Sequence, residues 1–396
     1  MMDLFQKCKD YTIVEEVKQA GIYPYFHTLE SKQDTVVNME GGRKIMIGSN
    51  NYQGLTSDPR VIAAAVKATE EFGTGCSGSR FLNGTTTLHL ELEKELAEFL
   101  GKEDCVTVST GFQTNLAVIS AIAGRKDYIF CDKENHASIY DGCKLSYAKM
   151  VRFNHLDYDE LEEKLKEVPE DAGILIITDG IFSMTGDICD LPRLVEIKKK
   201  YGARLLVDDA HSFGVLGKTG AGTAEYFDLI DEVDLICGTF SKSLASLGGY
   251  CACSHEVAEY LRHNSRPFIF SASITPGCLA ATLEALRIIK AEPERVAKLT
   301  EVAEYMRKCL RERGIKFADS KAPIIALFTY EQDVTLAVCK RLFEEGVYAN
   351  PVLPPATPVG QCLVRTTYTS THTKEVLEEA ADIIAKVFAD FGLIEK

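Results

Sequence analysis

The chain has 396 residues, 46% of them hydrophobic, and a formal net charge of -14 at pH 7. That length exceeds one compact core, so a large domain with a smaller one attached is expected. The acidic balance, with basic residues scattered beyond short runs such as Lys198-Lys199-Lys200, argues against a nucleic-acid or anionic-membrane partner. The thirteen cysteines are odd in number and irregular in spacing, with no C-x-x-C pair. They predict reduced thiols in a cytoplasmic protein, without disulfides and without a metal site. The first seven residues hold no apolar run, so no signal peptide is expected, and no stretch is long enough to span a bilayer.

Residues 1–57 read as an N-terminal arm. It includes a hairpin, DTVVNMEGGRKIMIGS, turned at Gly41-Gly42. Residues 58–290 alternate short apolar runs with amphipathic helical patterns. PRVIAAAVKATEEF begins at Pro59 with Asp58 as its N-cap. LHLELEKELAEFLG and LPRLVEIKKKYG close on Gly101 and Gly202, as helices do. DCVTVST, DYIFCD, AGILIITDG, ARLLVDDAH and VDLICGTF are short, continuous and β-branched. That is the texture of strands covered on both faces. The alternation predicts an α/β fold with a doubly wound, mostly parallel sheet. Residues 291–396 change texture. A long amphipathic helix, a strand (APIIALFTY), a helix, a proline-rich segment, a second strand (CLVRTTYT) and a last helix predict a smaller α+β domain.

In doubly wound sheets ligands gather at the carboxyl ends of the strands. ARLLV ends in Asp208-Asp209-Ala210-His211. DYIFCD leads to Asn135-His136, and CVTVST leads through Gly111-Phe112 into a helix whose free N–H groups suit a phosphate. VDLIC leads into GTFSKSLASLGGY, where Lys242 stands among serines and glycines. Most loop lysines are solvated surface residues. A lysine crowded by small residues instead loses solvation, and its amine becomes a nucleophile able to form a Schiff base. An acid, two histidines, an anion cradle and a lysine are the set that pyridoxal phosphate needs. The acid keeps the pyridine nitrogen protonated, because a nearby carboxylate favours the charged form.

These stretches, together with GSNNYQGL, GTGCSGSRFLNGT, DKENHASIYDG, TDGIFSMTGDICDL, RPFIFSAS and VRTTYTSTHT, resemble the α-oxoamine synthase family of pyridoxal-phosphate enzymes of fold type I. The resemblance runs from about Tyr23 to the last helix. Within the family the chain is most similar to bacterial members that condense L-serine with a long-chain acyl-CoA. GIYPYF, GTFSKSLAS and RTTYTSTHT carry that likeness. The resemblance implies that Lys242 links the cofactor and then acts as acid and base at the α-carbon. It implies that Asp208 pairs with the pyridine nitrogen, His211 with the phenolic oxygen, and that His136 stacks on the ring. Gly111, Phe112, Thr239 and Ser241 would hold the phosphate, with Ser271 and Ala272 reaching it across a homodimer interface. Ser183 would lie near the cofactor oxygen. Asn50 and Arg365 would meet the amino acid, Arg365 at its carboxylate, where a planar fork makes two parallel bonds.

The reaction so implied joins L-serine to palmitoyl-CoA and releases CoA, carbon dioxide and 3-ketodihydrosphingosine, the first step of sphingolipid synthesis. Its lipid product leaves peripheral membrane contact open. The alternatives share the catalytic set: 8-amino-7-oxononanoate synthesis from L-alanine and a pimeloyl thioester, or acetyl transfer to glycine. An aminotransferase of the same fold fits NHASIYDG and RTTYTSTHT less well. A non-catalytic relative would not need Lys242. Two positions depart from the family. Asp209 replaces a common glutamate or serine at a position facing away from the ring. Gln53 replaces a common leucine, and an altered acyl-chain entrance is the expectation there.

Overall fold

A computed structural model describes residues 3–394. Met1 and Met2, where the reading of the N-terminus starts, lie outside it. The five apolar runs form strands β3 (Asp104–Val108), β4 (Tyr128–Asp132), β6 (Ile174–Asp179), β7 (Arg204–Asp208) and β8 (Leu235–Thr239), after a hairpin of β1 (Val36–Met39) and β2 (Gly42–Met46). With β5 (Lys149–Phe153) and β9 (Gly249–Cys253) they build a seven-stranded sheet of order β3-β9-β8-β7-β6-β4-β5. Only β9 runs antiparallel to its neighbours. The fold is thus a mixed, mostly parallel α/β sheet.

Beyond their first residues the five runs are buried throughout, because helices cover both faces. Successive residues feed opposite cores: Ile176, Leu205 and Val207 point to one, Ile177 and Leu206 to the other. Strand β5 carries no clear signal in the sequence. It is an edge strand, and its Lys149 and Arg152 are exposed, so KMVRF lacks the continuous apolar signal of its neighbours. The helix Pro59–Phe72 starts as expected, with the Asp58 carboxylate accepting from Arg60 N at 2.9 Å.

The C-terminal region holds β10 (Ile324–Tyr330), β11 (Val347–Tyr348), β12 (Asn350–Val352) and β13 (Cys362–Thr367). β13 is the centre of an antiparallel sheet between β10 and β12. The N-terminal hairpin joins this region, since β2 pairs with β11 and Ile45 and Ile47 share a core with Leu327, Val364 and Phe388. The segment after the hairpin therefore passes from the C-terminal core to the carboxyl end of β7, where Tyr52 meets His211. That path carries Asn50 and Tyr52.

A buried ion pair pins the glycine-rich segment before the helix Thr87–Leu100. Arg80 donates from Nη1 and Nη2 to the two Glu93 oxygens at 2.6 and 3.0 Å, and both side chains are under a tenth exposed. Thr107 on β3 donates to Glu93 from its backbone and its hydroxyl. Removing one member of a buried pair strands the other charge. Glu93→Ala is expected to cost about 3–5 kcal/mol in urea unfolding. Arg287→Ala, which breaks the exposed pairs to Glu91 and Glu95, is expected to cost less than about 1 kcal/mol. Equal losses for the two variants would contradict this assignment.

Candidate active site

Parallel register sets the strand ends side by side. Asp179 on β6 stands opposite Asp208 on β7, and Asp208 opposite Cys237 on β8. A cavity of about 250 Å³ opens there. Gly111, Phe112, His136, Asp208, His211, Thr239, Ser241 and Lys242 all line it, so eight predicted residues at the carboxyl ends of four strands meet in one space. Asn115, Ser138 and Asp179 line it as well.

Asp208 is fixed by two donors. Its Oδ2 accepts from Asn115 Nδ2 at 2.6 Å and its Oδ1 from the backbone of Ala210 at 3.0 Å. Burial pushes the Lys242 amine down to about 7; Asp208 resists that shift and Arg365 adds to it. Burial likewise holds His211 well below its ordinary value, with Lys242 and Arg365 acting in the same direction. Asp179 is pushed well above the usual carboxylate range, by burial first and then by Asp208. The cavity thus combines a carboxylate held by N–H donors with an amine that loses its proton near neutrality and two imidazoles disfavoured as cations.

One end of the cavity suits an anion. The helix Gly111–Ile122 begins here, capped by Thr110 Oγ1 accepting from Gln113 N at 3.1 Å. A Cβ on Gly111 would lie 2.5 Å from Thr239 Cβ, so only glycine lets the helix start approach β8 this closely. The hydroxyls of Thr239 and Ser241 are 2.9 Å apart.

The other predicted residues divide into two sets. Arg365, on β13, donates from Nη2 to Asn50 Oδ1 at 3.0 Å and from Nε to the Ser183 carbonyl. The Tyr52 hydroxyl lies 2.7 Å from His211 Nδ1 and 3.5 Å from Asn50 Oδ1, so this set is tied to the cavity through His211. Ser271 and Ala272 do not line this chain's own cavity. They sit in an adjacent cleft, where Gln113 Nε2 donates to Ser271 Oγ at 2.5 Å and Ser109 Oγ to the Ala272 carbonyl.

Gln53 is not at an entrance. It is fully buried, and its amide donates to the Gly214 carbonyl in packing shared with Ser243. The expectation of an altered acyl-chain entrance is therefore corrected, since a buried amide bonded to backbone lines no channel mouth. Asp209 is also buried, accepting from the Thr223 backbone at 3.0 Å and hydroxyl at 2.6 Å, and it does not line the cavity. Four residues with evident parts in the site had no assignment: Tyr52, Asn115, Ser138 and Asp179. Asp179 ends an apolar strand as Asp208 does, so the same signal would have found it. Asn115 and Ser138 lie on helices, where nothing in spacing marks them.

The class I and II aminotransferase family matches residues 43–384, and the chain belongs to that family. The narrower resemblance, to α-oxoamine synthases, also holds. The chain is 49% identical to the serine palmitoyltransferase (SPT) of Sphingobacterium spiritivorum, over 97% of this chain and 96% of that one. It is 44% identical to the 8-amino-7-oxononanoate synthase of Symbiobacterium thermophilum, over 96% of this chain and 98% of that one. A high-resolution structure of SPT with PLP internal aldimine superposes with a TM-score of 0.96 at 34% identity, covering 99% of this chain and all of the other.

The electrostatics set a pH dependence. Below about pH 7 the Lys242 amine is protonated, and above it the free amine is present. In the cofactor-free protein, the rate at which Lys242 reacts with a small neutral aldehyde should rise as pH rises through about 7, followed by peptide mass analysis after reduction. A profile centred near the ordinary lysine value would show that burial does not depress this amine.

Proposed function

We propose that the protein is a pyridoxal-5'-phosphate-dependent acyltransferase that condenses L-serine with a long-chain acyl-CoA, palmitoyl-CoA or a near homologue, with loss of carbon dioxide. The observation that carries this reading is the convergence of Lys242, Asp208, His136 and His211 on one cavity with an anion-binding end. The residues fit the cofactor on chemical grounds. The Gly111 helix start with Thr239 and Ser241 suits its phosphate, Asp208 its pyridine nitrogen, and the Lys242 amine its aldehyde. When bound, pyridoxal phosphate supplies a conjugated ring that withdraws electrons from the amino acid's α-carbon.

The chain's own residues do the rest. Asp208 holds the proton at the pyridine nitrogen, and the donors from Asn115 and Ala210 hold Asp208. His211, bonded at Nδ1 to Tyr52, would have its Nε2 available to hold the cofactor's phenolic oxygen. The Lys242 amine would be the group that removes the α-proton of the amino acid and later returns one. Arg365 binds the serine carboxylate, held in place by Asn50 and the Ser183 carbonyl.

The assembly in this reading is a homodimer in which Ser271 and Ala272 reach the phosphate of the other copy. Exposed Phe81, Leu82 and Phe270, in segments flanking the Ser271–Ser273 stretch, are the apolar surface that such an interface would cover. A cytoplasmic setting accords with thirteen free cysteines. Among the described residues no helix is long and apolar enough to cross a membrane. A lipid product still leaves room for peripheral contact.

The choice of serine over alanine is the finer part of the proposal, supported by 49% identity to a serine palmitoyltransferase against 44% to an 8-amino-7-oxononanoate synthase. A site that hydrogen-bonds the serine hydroxyl leaves a polar group unpaired when alanine enters. kcat/KM should therefore be highest for serine with palmitoyl-CoA among serine, alanine and glycine, each paired with long-chain, dicarboxylic and acetyl thioesters. Preference for alanine with the dicarboxylic thioester would move the protein to the second reading, and glycine with acetyl-CoA to the third. Asp208→Asn should keep the phosphate-bound cofactor but lose about 2–4 kcal/mol of transition-state stabilisation, seen in kcat. Near-wild-type turnover in that variant would remove Asp208 from its role.

A further inference from the structure

Asn115 and Ser138 line the cavity and have no role in the account above beyond the contact to Asp208. Both are almost fully buried, at 2% and 1% exposure. The Asn115 amide spends its N–H groups on Asp208 Oδ2 at 2.6 Å and on Ser138 Oγ at 2.9 Å. Its own Oδ1 is buried without a partner. Turning the amide over would set that oxygen against the Asp208 carboxylate, so the orientation is dictated by Asp208. An unpaired buried acceptor is unfavourable, and it persists because a charge-assisted bond is the stronger term.

Ser138 carries the connection onward. Its oxygen accepts from Asn115, which frees its proton for His136 Nδ1, 2.7 Å away. The Ser138 backbone N–H points at the same nitrogen from 3.3 Å. Two donors converge on Nδ1, so this nitrogen is an acceptor and the neutral imidazole carries its proton on Nε2. Burial lowers the pKa of His136 and favours that neutral form, as does Lys242, against the pull of Asp208.

We propose that Asn115 and Ser138 are positioning residues: the Asn115 amide orients the Asp208 carboxylate and, through the Ser138 hydroxyl, fixes His136 as the Nε2–H tautomer. One side chain then sets both the acid at the ring nitrogen and the imidazole at the ring face. This rests on the reading that Asp208 and His136 serve the cofactor. A consequence follows for proton transfer. With Nδ1 occupied and Nε2 protonated, neutral His136 donates a hydrogen bond and has no free lone pair for a proton. The α-proton is left to Lys242.

The test is long-range 15N–1H spectroscopy of the holoenzyme labelled with [15N]histidine, with His136 identified by the His136→Gln variant. Wild type should show Nε2–H and unprotonated Nδ1 at His136. Ser138→Ala should add an Nδ1–H population, because only the longer backbone contact remains. Asn115→Asp keeps the shape but puts a second carboxyl against Asp208, and the two must share a proton. With 15N-labelled pyridoxal phosphate, that variant should lose the ring-nitrogen proton at lower pH than wild type. Its kcat/KM should fall roughly tenfold to a hundredfold, with kcat taking the loss. An Nδ1–H tautomer in wild type would overturn the proposal. So would an Asn115→Asp enzyme with unchanged ring-nitrogen titration and unchanged kcat/KM. The tautomer is read without substrate, and again before the protein is loaded with pyridoxal phosphate. Failure to turn over serine therefore counts against the proposed reaction alone.

Discussion

The site depends on holding a carboxylate and a reactive amine in the same small cavity without letting them neutralise each other into a salt bridge. Asp208 accepts from the N–H donors of Asn115 and Ala210, which fix its carboxylate in place. Lys242, desolvated and near Arg365, is correspondingly poor at keeping its proton. In open solvent the same amine would keep its proton to about pH 10. The parallel sheet supplies the setting. Its strands are buried to their last residue, and their ends deliver polar side chains directly from apolar core to cavity.

Closure of the site is shared between two regions distant in sequence. Arg365 stands at the centre of the C-terminal sheet, yet its guanidinium bonds Asn50 and the carbonyl of Ser183. Asn50 and Tyr52 follow a hairpin that is itself part of the C-terminal region through β11. The same short segment touches His211. A shift of the C-terminal sheet would therefore move Arg365, Asn50 and, through Tyr52, His211 together. That linkage couples the position of the Arg365 guanidinium to that of the His211 imidazole.

Much of this was legible in the sequence because strand ends are. Continuous β-branched runs announce buried strands, and the first polar residues after them announce the site. Asp208, His136, Gly111 and Lys242 were found in that way, before any resemblance gave them roles. Edge strand β5 lacked the signal because half of it faces solvent. Asn115 and Ser138 were invisible for another reason. Each is an ordinary polar residue on a helix, and its importance lies in which side chain of another element it meets. Gln53 was misplaced because a motif position conveys neighbours in sequence, whereas the side chain is buried against Gly214. Asp179 carries the same strand-end signature as Asp208 and is legible in the sequence on that ground.

The central claim is that Lys242 is the residue which carries pyridoxal phosphate. It is tested most directly by reducing the loaded protein with borohydride and mapping the modified peptide by mass spectrometry. The account predicts a single pyridoxyl group on Lys242 in the wild-type protein and none in Lys242→Ala. A pyridoxyl group on any other lysine, or reducible cofactor retained by Lys242→Ala, would contradict it.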